Sequence, residues 1–107
     1  MNLIKEATLN KQTKEIARTI VNNYFGIDIS RNTRQRKYII ARSMFYKILR
    51  YNTKMSFQEI ANIFNKNHAT VLHAIKQLDG YMEFDSSLKV DYITLNHLFL
   101  NTVDKLL

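Results

Sequence analysis

At 107 residues the chain has the size of one domain, 1–107, and can bury a core without a metal or disulfide staple. It contains no Cys, no Pro and only two Gly, which excludes a disulfide framework or a Cys-ligated metal and favours an all-α fold in a reducing cytosol. Its net charge of +7 comes with no apolar run near the ~20 residues that span a bilayer and no signal-peptide core at the N-terminus, so a cytoplasmic protein is expected.

Taken in chain order, residues 1–12 are weakly patterned. Leu3, Ile4, Ala7 and Leu9 fit either a short helix packed on the domain or a loosely ordered terminus. Thr13 is placed to cap a helix ending near Phe25, with Ile16, Ala17, Ile20, Val21 and Tyr24 as its apolar stripe. Gly26 follows where a helix C-terminus wants a residue tolerant of positive φ. Ile27 and Ile29 should dock the next loop, 30–35, which carries Arg31 and Arg34. A helix over 36–50 then puts Ile40, Ala41, Met44, Phe45, Ile48 and Leu49 on one face, with Arg42, Ser43, Tyr46 and Arg50 on or beside the other.

The segment 56–78 reads as two helices joined by a tight turn. Ser56-Phe57-Gln58-Glu59 is a capping box, and Phe57, Ile60, Ala61 and Phe64 recur at helical spacing. Asn65-Lys66-Asn67 breaks the pattern, and Asn67 can cap the second helix. Val71, Leu72, Ile75 and Leu78 face inward there, which leaves His68, Ala69, Thr70 and His73 to meet something outside. This is the layout of a helix-turn-helix, whose second helix offers its N-terminal residues to a DNA groove. Helix should continue to about Phe84 despite Asp79-Gly80. Asp85-Ser86-Ser87 then starts a closing helix within 85–107, with Leu88, Tyr92, Leu95, Phe99 and Val103 at helical spacing. The total is five or six helices.

Charge is unevenly spread. Between Asp28 and Glu59 there is no acid, while Arg31, Arg34, Arg36, Lys37, Arg42, Lys47, Arg50 and Lys54 supply eight cations. From Asp79 onward five acids face Lys89 and Lys105. Such asymmetry beside a helix-turn-helix suggests a polyanion footprint; the plainer reading is a solvated basic face. Catalysis has little support. His68, His73 and His97 include no i, i+4 pair, and no HExxH, glycine-rich phosphate loop or nucleophile elbow occurs. No enzyme, cofactor or metal is expected. The six Tyr and six Phe could stack on unpaired bases, but Phe45, Phe64 and Phe99 fall at core positions.

The residues Arg34, Arg36, Ala41-Arg42, Ser56-Phe57-Gln58-Glu59-Ile60, Phe64 and the run from Asn67 to Ile75 resemble the C-terminal DNA-binding domain of the bacterial replication initiator DnaA. That family's signature reads Asp-His-Thr-Thr-Val-Leu-His-Ala, and six of its eight positions stand here, with Asn67 for Asp and Ala69 for the first Thr. The resemblance implies a helical domain similar to the Trp-repressor class and duplex DNA as partner. It further implies Arg34 in the minor groove, phosphate or base contacts from Arg36 and Arg42, and a phosphate contact from Arg50. Backbone amides at Ser56 would face phosphate, and major-groove or flanking contacts would come from Lys66, Asn67, His68, Thr70 and His73. Two departures stand out. The family has two glycines and a basic residue where this chain has Phe64-Asn65-Lys66, one residue shorter, and no GxxxxGK[ST] motif occurs. The expectation is a stand-alone DNA binder that regulates replication or transcription, from a phage or mobile element by analogy. The rivals are a protein-interaction module that uses the last helix and a binder of single strands or RNA.

Overall fold

A computed structural model describes the backbone of residues 3–106 and the side chains of residues 10–106. Five helices are described: α1 (Leu3–Phe25), α2 (Arg36–Asn52), α3 (Phe57–Asn62), α4 (His68–Phe84) and α5 (Ser86–Asp104).

Thr13 does not cap α1. It lies inside the helix, buried in line with Ala17 and Val21 at four-residue steps. The residues before it include Leu, Ile, Lys, Glu and Ala and no Gly or Pro, so propagation of a helix already begun is favoured over a fresh start at Thr13. The packing expected of Leu3, Ile4, Ala7 and Leu9 concerns side chains outside the described residues. Gly26 ends α1 with φ 66°, and the N–H of Ile27 reaches back to the carbonyl of Asn22 at 3.1 Å, the long bond of a Schellman turn. Asn22 Oδ1 then accepts the N–H of Ile29 at 2.8 Å, and Ile29 is fully buried. Tyr24 leaves the stripe for the rim, where its hydroxyl donates to Asp91 on α5 at 2.7 Å.

α2 is the central element and packs against all four other helices. That explains why Ser43 and Tyr46, expected on its outer side, are buried. A helix with neighbours all round has no solvent face over its middle. Ser43 satisfies its hydroxyl locally by donating to the Ile39 carbonyl at 2.8 Å. Tyr46 packs its ring beside Phe45 and Phe64, at centroid distances of 6.1 and 6.2 Å, and burial pushes its hydroxyl pKa up. The expected inward face of α2, from Ile40 to Leu49, is buried throughout.

The hairpin forms as its caps dictate. Ser56 Oγ accepts the N–H of Glu59 and Glu59 Oε1 accepts the N–H of Ser56, both at 3.1 Å. The end of α3 repeats the Schellman pattern: Lys66 N–H to Ala61 O at 2.9 Å and Asn65 N–H to Asn62 O at 3.3 Å, with Asn65 at φ 55°. Asn67 Oδ1 accepts the N–H of Thr70 at 3.0 Å and so starts α4. α4 runs unbroken through Gly80 and buries Val71, Ile75 and Leu78; Leu72 is half-buried. Asp85 closes α4 and opens α5. Its N–H bonds to Tyr81 O, and its Oδ1 accepts from the N–H groups of Ser87 and Leu88 and from the Ser87 hydroxyl. α5 buries Leu95 and Phe99 against the core, flanked by half-buried Leu88, Tyr92 and Val103. No described helix is long and apolar enough to cross a membrane.

Candidate nucleic-acid interface

Loop 30–35 and the front of α4 face each other across an open groove of about 780 Å³. Arg31, Arg34 and Arg42 line one side; Lys66, Thr70, His73 and Gln77 line the other; Ile39, Tyr46 and Phe64 form its floor. No carboxylate lines it. The groove therefore gathers five of the residues singled out from sequence: Arg34, Arg42, Lys66, Thr70 and His73. Asn67 and His68 are exposed beside it at the opening of α4. A backbone amide cluster and the positive end of a 17-residue helix dipole lie at that point.

Each element of the groove has a local cause. The turn at Asn65 reverses the chain tightly enough to present Lys66 and the α4 front beside the Phe64 ring. Phe64 packs on Phe45 at a centroid distance of 5.6 Å, and the Arg18 guanidinium lies over the Phe64 ring, also at 5.6 Å. The loop is folded by polar pins. Asp28 Oδ1 accepts from the N–H and hydroxyl of Ser30, which holds its carboxyl below the usual carboxylate range. Thr33 Oγ1 accepts from the N–H of Gln35 at 3.3 Å.

The remaining predicted residues are dispersed or already engaged. Arg36 lies outside the groove: its guanidinium covers the Tyr81 ring at 4.8 Å, about 20 Å along α4 from His68 at the helical rise per residue. Arg50 stacks over Phe57 at 4.4 Å and donates to Met55 O at 3.1 Å, next to the Ser56 cap. Arg42 donates three hydrogen bonds to loop carbonyls, those of Ile29, Arg31 and Thr33. Lys47, one of the cation block, is paired with Asp79 at 2.6 Å and sits over Tyr51 and Tyr92. Sequence reasoning missed Gln77. It stands one turn beyond His73 and two beyond Thr70, so helical spacing alone would have found it. Asn32, also on the groove, carries no sequence signal.

The fold and groove define a helix-turn-helix domain with a basic loop set beside its second helix. The chain belongs to the family described as bacterial DnaA protein helix-turn-helix, whose model matches residues 13–78. Among curated relatives it is 41% identical over 61 residues to the chromosomal replication initiator protein DnaA of Mycoplasma pneumoniae, covering 57% of this chain and 14% of that protein. It is 34% identical over 80 residues to the namesake from Buchnera aphidicola, covering 71% and 18%, and 29% identical over 112 aligned positions to that of Geotalea daltonii, covering 98% and 23%. The chain thus spans less than a quarter of the length of these relatives. No solved structure matches it.

Proposed function

We propose that this chain is a sequence-specific duplex-DNA-binding domain, a single unit over 1–107, that regulates replication or transcription and performs no catalysis. The observation that carries this reading is the acid-free groove that sets Arg34 opposite Lys66, Thr70 and His73 at the front of a capped helix. α4 enters the major groove. The Thr70 methyl is suited to a thymine methyl, and His68, His73 and the side-chain NH2 of Asn67 to base edges. Capping does not compete with this, since it occupies only the Asn67 oxygen and the Thr70 N–H and hydroxyl. Arg34 enters the adjacent minor groove, where a narrow A·T-rich stretch concentrates negative potential. Phosphates on either side are met by Lys66, Arg36 and Arg50, with the Ser56 amide at the start of α3. Work at the nucleoid follows from such a partner.

Selection of duplexes from a random pool tests the reading directly and is expected to yield a defined motif. Three phosphate-neutralising cations, Lys66, Arg36 and Arg50, predict a slope of about −3 in log K against log salt. A flat salt response, or no enrichment of any duplex, would overturn it. Stronger enrichment of single strands would favour the single-strand reading. A second reading, a protein-docking module, draws on one observation: α5 and the end of α4 expose Phe84, Val90, Ile93, Leu98 and Leu100.

A further inference from the structure

We infer that Arg42 is a positioning residue: it shapes loop 30–35 so that Arg34 faces the front of α4, and it does not itself read DNA. This deepens the duplex-DNA reading and rests on it. Arg42 is half-buried on α2, between buried Ala41 and buried Ser43. Its Nη1 donates to the carbonyl of Arg31 at 2.8 Å and to that of Ile29 at 3.4 Å; its Nη2 donates to the carbonyl of Thr33 at 2.6 Å. Three of the five guanidinium N–H groups are thereby spent on carbonyls of alternate residues along the loop.

Apart from Arg42, the loop is tied to α2 by Arg31, whose Nη1 donates to the Tyr38 hydroxyl at 3.4 Å and whose guanidinium lies over that ring at 5.9 Å, a contact that holds a side chain and not the loop backbone. Ile29 is its only fully buried anchor; Ser30, Arg31, Asn32, Arg34 and Gln35 are exposed, and it contains neither Gly nor Pro. Its internal bonds act over two or three residues: Ser30 to Asp28, Thr33 N–H to Arg31 O, and Gln35 to Thr33. Arg42 ties the loop to the core helix 9 to 13 residues away. A charged donor fixed in a planar fork makes strong, directional bonds. Lysine offers one nitrogen in place of two and cannot reproduce the planar fork that serves the Arg31 and Thr33 carbonyls from separate nitrogens. A site that requires the fork therefore tolerates neither Ala nor Lys, whereas a phosphate contact is largely restored by Lys.

Binding of the 107-residue chain to its selected duplex, and to the same duplex with a G·C-rich flank, separates these roles. For Arg42→Ala and Arg42→Lys alike we expect flank preference to fall as far as in Arg34→Ala, by about tenfold. The Arg34→Ala/Arg42→Ala double variant should lose no more flank preference than either single one. Amide exchange should show faster exchange at Thr33 and Gln35 with the α2 and α4 amides still protected, a readout that does not depend on DNA. Uniform weakening on both duplexes, a salt slope reduced by about 1 and rescue by Arg42→Lys would make Arg42 a phosphate contact and overturn the assignment. Unchanged exchange in the loop would overturn it as well. Failure of the wild-type chain to bind any duplex would instead remove the reading on which the assignment rests.

Discussion

Six cations on and around the groove, five of them from one acid-free block of the sequence, fall into two groups in space. At the front of α4, Arg34 and Lys66 are exposed on an acid-free groove. Behind and beside it, Arg36, Arg42, Lys47 and Arg50 lie against rings, carbonyls and one carboxylate of the protein itself. The first group is available to a polyanion without rearrangement. The second spends part of its charge and donor capacity on the fold, where a cation over a ring contributes about 0.5–1 kcal/mol at an exposed site. Net charge therefore overstates the reading surface, and the contacts of each cation set its share.

The sharpest test falls on the front group. Replacing His68 and Thr70 together by Ala should cost about 1–3 kcal/mol per lost base contact against the selected duplex, with non-specific affinity nearly unchanged. Titrations against specific and random duplexes check this, and an equal fall in both would make these residues scaffold. The next test concerns the turn that presents the front. Asn65 holds φ 55°, which costs a residue with an ordinary Cβ about 1–2 kcal/mol. Asn65→Ala should lower unfolding free energy by about 1 kcal/mol in a denaturant titration, while Asn65→Gly should match or exceed wild type.

A smaller effect distinguishes the groups directly. Lys66→Ala should reduce the salt slope of binding by about 0.9, whereas Lys47→Ala should leave it unchanged. Equal changes would dissolve the division. The smallest effect is alkaline. Burial pushes the Tyr92 pKa up from 10.0 to about 12, with the Asp79 charge adding to it. A raised folded-state pKa contributes stability that is whole below the unfolded value and lost as pH rises through the folded one. Stability should accordingly decline between pH 10 and about 12, and absorbance titration should show Tyr92 ionising late.

Most of the helix plan was legible because its signals are local. Ser56 with Glu59, Asn67 with Thr70, Gly26, and Asp85 with Ser87 each act within a few residues, and each appears in its expected role. Thr13 misled because a good cap residue also fits inside a helix that has already begun. Ser43 and Tyr46 misled because periodicity assumes one wet face, and α2 is enclosed. At the site, the residues of the groove could be named from spacing, but their engagement could not. Arg42 finds carbonyls 9 to 13 positions away, and Arg36 meets a ring 45 residues on. Only the fold brings such partners together.

Asp85 caps the end of one helix and the start of the next, with its backbone N–H serving α4 and its carboxylate serving α5. A single residue therefore separates the two helices, and the nearer one carries the groove-facing residues. Hydrogen bonds from the Ser87 hydroxyl and neighbouring amides hold the Asp85 carboxyl below the usual carboxylate range, so the α5 cap keeps its charge into more acidic medium than a free carboxylate would.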